Sequence, residues 1–277
     1  VELPPNGQGA TALLMGKILQ EFPLGRMHPM GSERAHIEAE AAKLAYLARD
    51  RFVADPTVVE VNLDAMMSDA KAKSLAGLID PNACIPNPRA ASEAVHKDTV
   101  YLTVVDKQRT AVSLIYSIFE ALGSGIASDK YNILFQNRGA NFSLAPGHPN
   151  ELQGGKRPLH TIIPGMLRQN GKLTMSFGVM GGFYQPTGHM RLISNLLDYG
   201  MNLQQAIDAP RTFAYDGVLL AETGVPAAVR HGLEERGHKV VTPVLPIGGA
   251  QAIWIDHETG VLTGASDPRK DGCAMGY

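Results

Sequence analysis

The strongest constraint on the fold is a change of sequence character at residue 99. Before it, apolar residues recur at helical spacing and alanine is frequent. After it, runs of β-branched and aromatic residues alternate with polar turns. A chain of 277 residues with 44% hydrophobic content can bury a sizeable core. The sequence therefore predicts an α+β fold with a mainly helical part, residues 1–98, followed by a mixed part, residues 99–277.

The same patterns predict individual elements. Helices are predicted over residues 10–22, 32–52, 64–78, 187–199, 203–209 and 226–237. Strands are predicted over residues 100–105, 110–118, 161–168, 173–178, 251–255 and 261–265. The Asn170-Gly171 pair favours a tight hairpin turn, because both residues tolerate a positive φ. Residues 80–97 are proline-rich and polar, which is typical of an exposed loop.

Composition excludes several classes of function. The formal net charge is −2 and the basic residues are dispersed, so neither a nucleic-acid surface nor a polybasic membrane surface is expected. No apolar run reaches the roughly 20 residues that a membrane-spanning helix needs. Cys84 and Cys273 offer one disulfide at most and no metal-ligand cluster. We expect both to be reduced thiols, which favours a cytoplasmic location.

Five short sequence motifs follow one another along the chain in an order that is specific enough to compare with known families. They are residues 98–106 (DTVYLTVVD), 111–117 (AVSLIYS), 136–143 (QNRGANFS), 178–182 (GVMGG) and 264–269 (GASDPR). In this order they resemble the catalytic subunit of the gamma-glutamyltransferase family of N-terminal-nucleophile hydrolases. The resemblance implies a four-layer αββα sandwich to which both parts of the chain belong, and self-cleavage of the bond between Asp98 and Thr99.

Cleavage at that bond would make Thr99 an N-terminal nucleophile. A threonine hydroxyl is a poor nucleophile without a base, and a free α-amino group, with a pKa near 8, can act as that base. The resemblance implies that Ser117 supplies a second hydroxyl that hydrogen-bonds to the nucleophile. It also implies that Gly181 and Gly182 form the oxyanion hole with their backbone N–H groups.

The substrate-binding positions depart from the pattern of family members that cleave glutathione. Asn141 stands where those members carry the aspartate that receives the substrate's α-amino group. Phe119 replaces an asparagine that helps to hold the α-carboxylate, and His160 and Thr161 replace paired serines. Arg138 is an added cation, and arginine binds carboxylates in bidentate geometry. These changes predict a site for an anionic acyl group that does not recognise a γ-glutamyl amine.

The beginning of the chain also matches the family. Residues 4–9 (PPNGQG) resemble a segment well inside the large subunit, so we expect the chain to be the carboxy-terminal portion of a longer precursor. The expected partners are the missing amino-terminal part of the large subunit and a small-molecule amide substrate. Processing would give an αβ heterodimer, with pairing of two heterodimers left open. The mechanism requires no metal and no cofactor.

Three functions stay open at this point. The first is a self-processing threonine amidohydrolase acting on an amide with an oxamate-like or glutaryl-like acyl group. The second is a γ-glutamyl hydrolase or transferase, which would have to recruit its amine-binding acid from elsewhere. The third is an unprocessed, inactive homologue that serves as a binding scaffold.

Overall fold

A computed structural model describes residues 1–86 and 99–276. The helices in these ranges are α1 (Gly9–Leu19), α2 (Ser32–Phe52), α3 (Leu63–Met66), α4 (Asp69–Ala76), α5 (Gln185–Leu197), α6 (Leu203–Asp208) and α7 (Ala227–Glu235). The strands are β1 (Thr99–Val105), β2 (Ala111–Ser117), β3 (Gly165–Gln169), β4 (Lys172–Met180), β5 (Thr212–Tyr215), β6 (Val218–Ala221), β7 (Val240–Val241), β8 (Gly249–Ile255) and β9 (Leu262–Ser266). The α+β prediction is confirmed.

Two predicted elements differ from the observed ones. The helix predicted over residues 64–78 is two short helices, because the Ser68 hydroxyl accepts a hydrogen bond from the Lys71 N–H at 3.2 Å and caps a new start. The strand predicted over residues 161–168 begins only at Gly165. The backbone before it instead bonds to buried side chains, since Ile163 donates to Gln185 Oε1 at 3.0 Å.

The strands form three sheets. The largest is antiparallel in the order β3–β4–β8–β9, and β1 pairs with β2 as a separate antiparallel ribbon. A third sheet joins β5, β6 and β7, with β7 parallel to β6. The turn between β3 and β4 has Asn170 at φ 51° and Gly171 at φ 78°, as predicted for this pair.

The β1–β2 ribbon packs on one face of the large sheet. Thr103 Oγ1 donates to Ser176 Oγ on β4 at 2.6 Å. The Tyr101 ring lies against Gly178, where a Cβ atom would overlap the ring. Because glycine leaves that space open, the ribbon can approach the sheet closely. The ribbon is thereby fixed over β4.

Helices cover the other face of the large sheet. Met175, Phe177 and Val179 of β4 share a hydrophobic cluster with residues of α5 and α6. A second cluster joins residues of α1, α2 and α4 to Leu159, Ile163 and Met190 from the second part of the chain. The two parts of the sequence therefore contribute to the same core.

The outer face of the β1–β2 ribbon is exposed and apolar. Its members lie directly opposite one another in three cross-strand pairs: Val100 with Tyr116, Leu102 with Leu114, and Val104 with Val112. Each is 44–65% exposed. We call these six residues the ribbon face.

Elsewhere, Cys84 and Cys273 are free thiols, and no helix in the described part of the chain is both long and apolar enough to cross a bilayer.

Candidate active site

Thr99 and Ser117 lie side by side at one end of the β1–β2 ribbon. Thr99 begins β1, Ser117 ends β2, and the two residues face each other in the antiparallel register. Thr99 Oγ1 donates to Ser117 Oγ at 3.1 Å, and the Phe119 N–H donates to the same oxygen at 2.9 Å. Phe119 is 3% exposed and has a φ of 81°, which is unusual for a residue with a side chain. The backbone therefore turns sharply beside the hydroxyl pair.

Arg138 is a buried side chain that contacts both Ser117 and Phe119. It begins a short 3₁₀ turn, Arg138–Asn141, and its guanidinium lies 5.5 Å from the centre of the Phe119 ring. Its Nη1 donates to Thr161 Oγ1 at 3.3 Å and its Nη2 to the Ser117 carbonyl at 3.4 Å. Burial lowers the pKa of Arg138 to about 10. Among the described residues it makes no ion pair with a carboxylate, so the site contains a buried cation bonded only to neutral oxygens.

Gln8 connects Thr161 to the glycine loop and is a residue that the sequence interpretation missed. It is fully buried, and its Nε2 donates to the Thr161 carbonyl at 2.8 Å and to the Gly182 carbonyl at 3.0 Å. Its sequence signal is its place in the segment PPNGQG, which resembles the family as a whole and assigns no role to a single residue. Gln8 fixes two backbone segments of the site relative to each other.

The two glycines follow β4 at the same end of the molecule as Thr99. Met180, the last residue of β4, packs against Tyr101 of the ribbon. Gly181 has a φ of 126° and Gly182 a φ of 59°, conformations that favour glycine. A Cβ at Gly181 would lie 2.9 Å from Gly248 Cα, so this loop leaves no room for a side chain.

His160 and Asn141 complete the set of predicted binding residues. The His160 ring packs on Gly7, where a Cβ would lie 2.6 Å from it. Burial, together with the positive charges of Arg138 and Arg157, lowers the pKa of His160 to about 4, so the ring is neutral. Its Nδ1 and the Asn141 Nδ2 are buried without a hydrogen-bond partner among the described residues. Both are polar atoms that a substrate can satisfy.

The structure thus links Thr99, Ser117, Phe119, Arg138 and Thr161 through direct contacts, and the Gln8 side chain joins Thr161 to Gly182. Asp98, the predicted residue before the cleavage point, lies outside the described residues. One group among the described residues has metal-ligand chemistry, namely His36, Glu40 and His238. It contains none of the predicted site residues.

Comparison with known proteins decides the family. The family model described as gamma-glutamyltranspeptidase matches residues 1–277. The chain belongs to the gamma-glutamyltranspeptidase family. Members of this family that are similar to it include the glutathione hydrolase-like YwrD proenzyme of Bacillus subtilis (strain 168), at 37% identity over 99% of this chain and 53% of that protein.

Two further family relatives carry more specific names. The oxamate amidohydrolase proenzyme of Klebsiella pneumoniae is 34% identical over 99% of this chain and 53% of its own length. The crystal structure of cephalosporin acylase from Bacillus halodurans superposes with a TM-score of 0.89 at 37% identity, covering all of this chain and 51% of that one. The chain therefore spans about half the length of the relatives it matches.

Proposed function

We propose that the protein is an amidohydrolase that cleaves its own chain before Thr99 and then uses Thr99 as nucleophile. The observation that carries this proposal is the hydrogen bond between Thr99 and Ser117, continued through Arg138 and Thr161 to Gln8 and the Gly182 carbonyl. The path joins the nucleophile to the loop that would hold the oxyanion. It also runs through the residues expected to bind the acyl group.

Self-cleavage would proceed by an acyl shift. The Thr99 hydroxyl attacks the Asp98 carbonyl carbon, its proton passes to the Thr99 nitrogen as the C–N bond breaks, and the acyl group moves from nitrogen to oxygen as an ester. Water then hydrolyses the ester, leaving a carboxylate on Asp98 and a free α-amino group on Thr99. The hydrogen bond from Thr99 to Ser117 holds the hydroxyl in one orientation for this attack.

The substrate reaction would repeat the attack on an external amide. The α-amino group of Thr99 accepts the hydroxyl proton while the oxygen adds to the amide carbonyl. The N–H groups of Gly181 and Gly182 stabilise the resulting oxyanion. The proton passes to the leaving amine, which departs and leaves an ester on Thr99. Water, deprotonated by the α-amino group, hydrolyses the ester and releases the acid.

Arg138 supports an acyl group that bears a carboxylate. A buried guanidinium that has no carboxylate partner among the described residues favours an anionic ligand, because the ligand supplies a counter-charge. The unpartnered Asn141 Nδ2 can donate a further hydrogen bond to such a ligand. The name of one relative, oxamate amidohydrolase, specifies an amide whose acyl group bears a carboxylate.

The two alternative functions have weaker support. A γ-glutamyl substrate carries an ammonium group close to its carboxylate, yet the position matched to the amine-binding aspartate holds the neutral Asn141. An inactive scaffold would not need the Thr99–Ser117 contact. We therefore favour hydrolysis of a carboxylate-bearing amide over both alternative functions.

We also propose the complete architecture to be the four-layer αββα sandwich, with residues 1–98 and 99–277 as parts of one domain. The described residues supply a helical layer, the large sheet and the ribbon. The ribbon face would be covered by a further layer from the remaining half of the protein, because six exposed apolar side chains on one face favour burial. The shared hydrophobic clusters would hold the two fragments together as a heterodimer after cleavage.

Intact mass and N-terminal sequencing of the full-length protein test the proposal. We expect two fragments, the second beginning Thr-Val-Tyr-Leu, and a single uncut chain for Thr99→Ala. The processed protein should then release acid from oxamate, succinamate or glutaramate. A chain that stays uncut would overturn the proposed self-cleavage. A processed protein that prefers γ-glutamyl amides in competition would overturn the proposed substrate class.

A further inference from the structure

Five charged or titratable side chains meet at a junction outside the site described above. His36, Glu40 and Lys43 lie on α2, while Arg236 and His238 follow α7. We call these five residues the junction cluster. The first three belong to the part of the chain before Thr99 and the last two to the part after it.

The junction cluster holds itself together by short polar contacts. His36 Nδ1 and His238 Nε2 are 2.7 Å apart, and the Lys43 ammonium donates to Glu40 Oε1 at 2.7 Å. Glu40 Oε1 also lies 3.8 Å from His238 Nε2. His36, Glu40 and His238 are at most 7% exposed. These contacts are therefore shielded from water and stronger than surface ion pairs.

The α2 side of the cluster bonds to the chain segment 80–85. His36 Nε2 donates to the Asp80 carbonyl at 2.7 Å, which places the ring proton on that nitrogen because a carbonyl only accepts. The Ile85 N–H donates to Glu40 Oε2 at 2.7 Å, and the Lys43 ammonium donates to the Ile85 carbonyl at 3.0 Å. Both backbone groups of Ile85 are thus fixed by charged partners.

Arg236, which follows α7, bonds to the same segment 80–85. Arg236 Nε donates to the Pro81 carbonyl at 2.9 Å, and the Cys84 N–H donates to the Arg236 carbonyl at 2.7 Å. A Cβ at Gly237 would lie 3.2 Å from Cys84 Sγ, so the segment sits directly against this backbone. Segment 80–85 is therefore held from both sides.

A metal ion is a poorer explanation of the cluster. Two nitrogens that each lie about 2.0–2.1 Å from a tetrahedral zinc ion are roughly 3.3 Å apart, whereas 2.7 Å fits an N–H···N hydrogen bond. Lys43 already neutralises Glu40. Burial, followed by the charges of Lys43, His36 and Arg236, lowers the pKa of His238 to about 3, which shows that the surroundings disfavour an added positive charge.

We infer that the junction cluster is a clamp between the two fragments, which keeps segment 80–85 seated once the chain is cut before Thr99. Ile85 precedes the proposed cleavage point by thirteen residues, and cutting there converts this stretch into a free chain end. A free end gains more conformational freedom on opening than a closed loop does. Bonds of Arg236 to Pro81 and Cys84, and the bond of His238 to His36, then connect the two fragments in place of the lost covalent connection. This inference rests on the proposed cleavage.

Hydrogen exchange of the Cys84 and Ile85 amides tests the clamp independently of self-cleavage. The full-length protein with Thr99→Ala, which should not cut itself, receives a protease site between residues 91 and 92 and is measured before and after cutting. With the cluster intact, we expect exchange of both amides to stay slow and to change by no more than about threefold.

Glu40→Gln and Glu38→Gln form a matched pair. Both residues are buried on α2, but Glu38 bonds to Arg34 and Arg191 and makes none of the bonds to segment 80–85 described above. After cutting, Glu40→Gln should accelerate exchange at Ile85 about tenfold and Glu38→Gln should not. His238→Phe should resemble Glu40→Gln. Loss of protection on cutting with the cluster intact, or equal effects of the two glutamate variants, would overturn the clamp while leaving the proposed activity untouched.

Discussion

Replacement of Arg138 by methionine separates its proposed binding role from any role in stability. A charge-assisted hydrogen bond to a ligand contributes about 1.5–3 kcal/mol, which corresponds to about 10- to 150-fold in kcat/KM. We expect a loss of this size for substrates with a carboxylate on the acyl group. Because Arg138 makes no described ion pair and its removal relieves a buried charge, the unfolding free energy should stay equal or rise.

The assay compares each carboxylate-bearing amide with its neutral diamide: oxamate with oxamide, succinamate with succinamide, and glutaramate with glutaramide. Arg138→Met should lower kcat/KM for the first member of each pair and leave the second nearly unchanged. Arg211→Met is the stability control, because it breaks the ion pair of Arg211 with the buried Asp267 carboxylate, which keeps Arg269 as a partner, and should cost about 1.5–3 kcal/mol. Equal losses on charged and neutral substrates, or destabilisation of Arg138→Met as large as that of the control, would refute the reasoning.

Three further predictions concern packing, site geometry and pH. Gly178→Ala should lower the unfolding free energy by about 1–3 kcal/mol in urea titrations, because the new methyl group overlaps the Tyr101 ring; a change below about 0.5 kcal/mol would contradict the observed ribbon packing. Gln8→Leu should slow self-cleavage more than tenfold, since two buried carbonyls lose their shared donor; a normal rate in time-resolved gels would remove Gln8 from the site. The pKa of His160 is about 4 against an ordinary 6.5, so the neutral ring contributes stability that is complete above about pH 6.5 and is lost as the pH falls towards 4. His160→Gln should therefore flatten the decline of unfolding free energy between pH 7 and 5, and an unchanged slope would count against a buried neutral ring.

Local patterns in the sequence were enough to predict much of the secondary structure. Helix α2 runs over the predicted residues 32–52, and the Asn170-Gly171 turn adopts the positive φ values that its residue types allow. Periodicity missed the short strands β5, β6 and β7, and it also failed where a single side chain redirected the backbone. Ser68 ended one helix by capping the next, and buried glutamine side chains took the backbone groups of residues 161–163 out of the strand.

The order of the motifs likewise predicted which residues belong to the candidate site, but not how they contact each other. Phe119 was expected as a binding residue, whereas its positive φ and its bond to the Ser117 hydroxyl are visible only in three dimensions. Gln8 was overlooked because a lone glutamine carries no motif, and its role depends on two carbonyls that lie more than 150 residues away in the sequence.

The α+β class, the family resemblance and the identity of the candidate nucleophile can be predicted without coordinates, because they depend on residue types and their order along the chain. The tertiary structure is needed to show that Arg138 is a buried cation with no carboxylate partner among the described residues, and that segment 80–85 is held by residues from both sides of Thr99. Charge compensation and burial depend on contacts between residues far apart in the chain, and no local pattern encodes those distances.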